Sequence, residues 1–80
     1  MLFRSLAAVY GHGATKYADH NWRKGYNWSL SIAALERHIG KWKAGEDLDS
    51  ESGLPHLAHA AFHLFALLEY RYTHPEKDDR

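Results

Sequence analysis

The sequence predicts an all-α fold, a small bundle of about four helices organised around a long antiparallel helical hairpin. Three observations carry this prediction. Apolar residues recur at spacings of three and four along most of the 80-residue chain. No stretch shows a convincing alternation of period two, and glycine or proline stands where each periodic segment ends. Connections this short bring consecutive helices together in opposite directions.

The first helix is expected from about Leu2 to Tyr10, with Leu2, Leu6, Val9 and Tyr10 on one face. Gly11-His12-Gly13 should stop it, as a turn rather than a phosphate-binding loop. The second spans about Ala14 to Lys24 and ends at Gly25 after the basic pair Arg23-Lys24. The third begins near Asn27 or Ser29, both good N-caps, and reaches about Ala44 before Gly45. Its apolar residues Trp28, Ile32, Leu35, Ile39 and Trp42 form a seam suited to packing on another helix. The fourth opens after Ser52-Gly53-Leu54, with Pro55 tolerated in its first turn, and runs to about Tyr72. Leu57, Ala60, Ala61, Leu64, Leu67 and Leu68 are its expected buried stripe. Residues 1–74 therefore read as one domain, and 75–80 as a solvated tail. Phe62, Phe65, Tyr70 and Tyr72 lie off the stripe, more apolar surface than a monomer of this size can cover. Self-association into a homo-oligomer is the expected outcome.

Composition narrows the function. Ten basic and ten acidic residues cancel, and the pI near 7.1 argues against direct DNA binding, which needs a basic excess. A nucleotide is not excluded, because it needs only a few local cations. The chain has no cysteine, so disulfides, cysteine-ligated zinc, iron–sulfur clusters and thiol nucleophiles are ruled out. No apolar run approaches the ~20 residues of a membrane span. The opening Met1–Val9 segment, interrupted by Arg4, is too weak for a signal peptide, so the cytoplasm is the expected compartment. No serine nucleophile elbow, Walker loop, Rossmann fingerprint or His-Asp doublet occurs. Seven histidines stand out, about three times the usual share, and small domains often gain stability from a metal.

His56, His59 and His63 are three and four apart, which places them on one side of the last helix. Just upstream, Gly45-Glu46-Asp47-Leu48-Asp49-Ser50-Glu51 carries four carboxylates, with Glu46 and Asp49 three apart. An antiparallel hairpin brings this segment close to His56 and His59, while His63 drifts away from it and reads as core or surface. Mixed carboxylate and imidazole ligands suit Mn, Fe or Zn, whereas Mg favours oxygen. The plainer reading is a solvated acidic loop beside ordinary histidines, with acids favouring the first turn of the next helix. On the third helix His38 should face the His59–His63 region, as an extra ligand or general base. Its neighbour Arg37 is suited either to a salt bridge with the acidic loop or to gripping a phosphate. The tract from Lys16 to Trp28 combines aromatics, amides and cations, fit for stacking a base and meeting phosphates. It is equally fit for a core Tyr17 and Trp22 beside a surface Asp19–Arg23 pair.

These motifs, in order, resemble a known family. Gly13-Ala14-Thr15-Lys16-Tyr17, Asn21-Trp22-Arg23-Lys24-Gly25, Arg37-His38 and the run from Gly45 to Ala60 resemble the phage-associated dATP/dGTP diphosphohydrolase N-terminal domain family. That family is similar to the MazG-like all-α nucleotide pyrophosphohydrolases, and the likeness covers roughly residues 11 to 70. The resemblance implies a metal-dependent enzyme acting in a bacterial or phage-infected bacterial cell. It would cleave a purine deoxynucleoside triphosphate between the α- and β-phosphates to a monophosphate and pyrophosphate. Divalent Mg, Mn or Zn would neutralise the triphosphate and activate water. Carried onto this chain, the resemblance makes Glu46, Asp49, His56 and His59 the metal ligands and His38 and Glu46 the catalytic candidates. Arg37, Lys16 and Lys24 are assigned to the phosphates, and Asn21 with Trp22 to the base. MazG-like enzymes carry paired carboxylates on two helices; here the second pair is replaced by His56 and His59.

Overall fold

A computed structural model describes residues 2–17 and 25–80, with side chains for 4–11 and 25–80. The described chain is all-helical: α1 (Leu2–Tyr17), α2 (Trp28–Lys43) and α3 (His56–Thr73), followed by a single 3-10 turn at Pro75–Lys77. The described residues thus form three α-helices, where the sequence predicts four.

The difference lies at Gly11-His12-Gly13, where the expected stop does not occur and α1 runs on to Tyr17. An isolated glycine inside a helix costs only about 1 kcal/mol relative to alanine, less than tertiary packing supplies. That packing is against α3, where the Tyr10 ring meets the edge of Phe62 with centroids 4.7 Å apart. Residues 14–17 of the expected second helix are the end of α1; the rest of it lies outside the described residues.

Helix α2 starts after Asn27, whose side chain makes no capping bond. The cap comes from the far end of the chain: the Asp79 carboxylate accepts the Ser29 backbone N–H at 2.9 Å and its hydroxyl at 2.6 Å. Arg80 lies over the Trp28 ring at 4.9 Å, and the Trp28 indole N–H donates to the His74 carbonyl. The final residues are mostly exposed, yet they return to the start of α2 rather than trailing into solvent. At its other end α2 closes on Ala44, and Gly45 takes the left-handed backbone (φ +104°) that reverses the chain.

Ser31 on α2 meets His63 on α3, and His38 meets His56, so the two helices run in opposite directions. Their apolar core is Trp28, Ala66 and Tyr70, with Tyr26, Ile32 and Leu67 packed against it. The buried faces are rotated from the predicted stripes. Helix α2 buries Trp28, Ser31 and His38, whereas Ile39 and Trp42 are 39 % and 44 % exposed. Helix α3 buries His56, His59, Ala60, Ala66 and Tyr70, leaving Leu57, Leu64 and Leu68 outside. Apolar spacing alone picks the greasiest face. Here imidazoles take seam positions because each finds a polar partner across the seam, and small alanines let the helices approach.

No helix among the described residues is long and apolar enough to cross a membrane.

Candidate metal centre

The loop between α2 and α3 is bonded to itself and pinned to α3. The Asp49 N–H donates to the Leu54 carbonyl at 2.8 Å, Gly53 N–H returns to the Asp49 carbonyl at 2.7 Å, and His56 N–H donates to the Asp47 carbonyl at 2.9 Å. These bonds hold Asp49 over the first turn of α3. One ligand atom each from His38, Asp49 and His56 then falls within 4.8 Å of the other two.

His38 and His56 face each other through Nδ1 at 2.9 Å, with His56 fully buried. His56 Nε2, on the far side of its ring, lies 2.5 Å from Glu46 Oε2. Proton accounting orders the chain. An ionised carboxylate only accepts, so His56 donates through Nε2, and a neutral His56 then accepts at Nδ1 from the Nδ1–H of His38. The same logic holds for Asp49. Its Oδ2 accepts both the backbone N–H and the hydroxyl of Ser52, each at 2.9 Å. Ser52 has one hydroxyl hydrogen, already committed, so His59 Nε2–H donates to Ser52 Oγ at 2.7 Å. The His59 ring stacks on His38, with centroids 4.5 Å apart and planes within 5°.

Burial, then the neighbouring His59 and Arg37, pull His38 down to about 4. His63, bonded to Ser31 Oγ at 3.0 Å, is likewise drawn down to about 4, first by burial and then by His38 and His59. For Asp49 burial pushes upward, but the two Ser52 bonds and His59 outweigh it and hold the carboxyl below its ordinary range. His38 is thus neutral and Asp49 ionised at pH 7, the states that metal ligation requires of them.

The donor set fits a divalent ion. Two ligands bonded at about 2.1 Å and roughly at right angles sit about 3 Å apart, close to the His38–His56 spacing. A carboxylate third donor completes a set suited to Mn, Fe, Co or Zn.

The family described as dATP/dGTP diphosphohydrolase, N-terminal, matches residues 1–80, the full chain. The chain belongs to this family. A relative named dATP/dGTP diphosphohydrolase, from Salmonella phage PMBT28, is 35 % identical over 75 residues, covering 94 % of this chain and 26 % of that protein. The chain thus spans about a quarter of the length of the curated relative it matches. No solved structure matches it.

The residues expected at the site are brought together unevenly. His38, Asp49 and His56 converge; Glu46 reaches His56 from outside that group; His59 flanks it, stacked on His38 and tied to Ser52. Arg37 is exposed on α2, its charge felt by both His38 and His63. Lys16 lies in α1, but its side chain is outside the described residues, as are Asn21, Trp22 and Lys24. Sequence reasoning overlooked Ser52, Ser31 and Tyr26. Asp49-x-x-Ser52 carries a signal, because a carboxylate three residues ahead of a backbone donor is the spacing of a helix or turn cap. Ser31 and His38 are seven apart on α2, a polar repeat along the seam.

Proposed function

We propose that this domain supplies the cation site of an enzyme that hydrolyses a purine deoxynucleoside triphosphate, dATP or dGTP, to the monophosphate and pyrophosphate. The observation that carries the reading is the convergence of His38, Asp49 and His56. Those three side chains would hold a divalent cation. When bound, the cation supplies charge neutralisation at the phosphates and an acidified water. The protein's own residues do the rest. Arg37, one residue from His38 and exposed, presents a planar fork suited to phosphate oxygens. His38, held neutral at pH 7 by its burial, can offer a ring nitrogen to the cation without first losing a proton. Lys16 and Lys24 are assigned to phosphates, and Asn21 with Trp22 to the base. The family membership and the relative's name support the substrate class.

The test is incubation of the purified chain with dATP or dGTP and Mn or Mg. Monophosphate and pyrophosphate should form above blank and vanish with His56→Ala. If neither product forms, catalysis by this domain alone is refuted. A second reading then takes over, a module binding cation or nucleotide without turnover, which the chain's coverage of only 26 % of its relative favours. That reading expects metal or dNTP to raise the melting temperature with no product. Self-association is proposed as well, on Leu57, Leu64, Phe65, Leu68 and Tyr72 standing exposed along α3. Sedimentation giving a monomer mass at micromolar concentration would exclude it.

A further inference from the structure

We infer that Glu46 is a positioning residue for His56 rather than a ligand, and that the centre is a two-imidazole, one-carboxylate site for a transition-metal cation that Mg does not replace. The inference rests on the cation-dependent reading above and deepens it.

The two nitrogens of an imidazole point away from one another, so one ring cannot direct both at a single ion. His56 turns Nδ1 inward to His38 and Nε2 outward to Glu46. Glu46 Oε2 therefore lies on the side of the ring facing away from the His38–Asp49 group, and it is not a member of that group. A metal-ligating histidine commonly donates its second N–H to a carboxylate, which fixes the ring and makes the ligating nitrogen more basic. Glu46 stands in that relation to His56, which is buried and so held in one orientation.

Asp49 is steadied in a similar way. Both donors of Ser52 go to Oδ2, and neither bond uses Oδ1. His59 supports this Ser52 hydroxyl through Nε2 and stacks on His38, so it braces two of the three ligands. What converges is two nitrogens and one carboxylate. With Glu46 outside, the set is too poor in oxygen and in charge for Mg, which demands a near-octahedral oxygen shell. Two imidazoles and a carboxylate with open positions suit Mn, Fe, Co or Zn, and the open positions would take phosphate oxygens or water.

The test uses the metal-free chain, titrated calorimetrically with MnCl2, CoCl2, ZnCl2 and MgCl2, together with the visible absorption of its Co(II) form. The expected result is one-to-one binding of Co and Zn, with Mg weaker by at least 100-fold and unable to displace Co. E46Q should keep the Co(II) band positions while weakening binding roughly 10- to 100-fold. D49N, which alters a ligand, should change the bands. Circular dichroism confirms that each variant is folded, and the Mg competition on the unaltered chain needs no variant. Co(II) bands that move in E46Q as they do in D49N would make Glu46 a ligand and overturn the inference. Unchanged affinity in E46Q, or Mg competing on equal terms, would overturn it too. In those outcomes the cation-dependent reading stands. Binding of no cation at millimolar concentration would sink both, whereas binding as expected without dNTP hydrolysis would sink only the enzymatic reading.

Discussion

Ser31→Ala removes one oxygen from the α2–α3 seam, and its cost follows from what that oxygen holds. Ser31 has no exposed surface; its hydroxyl bonds Tyr26 at 2.6 Å and His63 Nδ1 at 3.0 Å. The substitution deletes both bonds; the Tyr26 phenol keeps its side-chain bond to Tyr70, while the His63 imidazole is left facing a methyl group. The stranded, partly buried imidazole costs about 1–2 kcal/mol, and the lost bond to Tyr26 about 0.5–1 kcal/mol. Alanine returns about 0.5 kcal/mol as the better helix former. The net loss is about 1–2.5 kcal/mol, a large share of the stability of a domain this small. At about 5 °C per kcal/mol, the melting temperature should drop by roughly 5–12 °C. Thermal unfolding followed by circular dichroism reads this, and a cycle with His63→Ala isolates the pair. A shift under 2 °C, or strictly additive effects in the cycle, would refute the bonded column.

His38 and His63 titrate near 6.5 when unfolded and near 4 when folded, so between those values the unfolded chain holds more protons. Stability should be full above pH 6.5 and fall as pH drops toward 4, by no more than about 1.4 kcal/mol per pH unit for each ring; urea unfolding that is flat or rising from pH 6.5 to 4.5 would contradict this. Gly25 and Gly40 should respond with opposite signs to alanine. At Gly25, φ is +82° and a Cβ would lie 2.7 Å from the His74 ring, so about 2 kcal/mol should be lost, whereas Gly40 has open space within α2 and should gain about 0.5–1 kcal/mol. Urea midpoints moving in the same direction would refute the placement of His74. Asp79→Ala removes the acceptor for the Ser29 amide, so hydrogen exchange there should accelerate while exchange at Ala66 stays unchanged; equal protection at Ser29 would show that the tail does not cap α2.

Helix type and the long pairing partners were legible because glycine and proline punctuate the last two helices where periodicity breaks. Helix α1 was cut short because a local rule, that two nearby glycines end a helix, gave way to packing against Phe62. The rotation of the buried faces was not legible from hydrophobicity. Leu57 and Leu64 outrank His56 and His59 on any apolar scale, yet the histidines are buried because partners arrive from Glu46, Asp49 and Ser52 in the loop that precedes the helix. Pattern analysis sees spacing along one helix, not the donors and acceptors supplied by another. That also explains Glu46 and Asp49. Their shared spacing suggested equal roles, but Gly45 ends the helix before them, and the turn sends one carboxylate to each side of His56.

The seam poses a question of energetics that bears on function. Burying Ser31, His38, His56 and His59 between two helices gives up hydrophobic stabilisation that leucine or alanine would supply at the same positions. Every polar hydrogen of such a network must be placed to avoid a large penalty, and among the described residues no buried side-chain polar atom lacks a partner. A small domain has little stability to spare for such a network. Hydrogen bonding alone makes the arrangement tolerable but gives no reason to choose imidazoles over apolar residues. A ligand recognised by those nitrogens does, because its binding adds stability that the apo fold lacks. The cost of the seam is therefore itself an argument that the site binds something, and the chemistry of its nitrogens and carboxylate directs that argument to a cation.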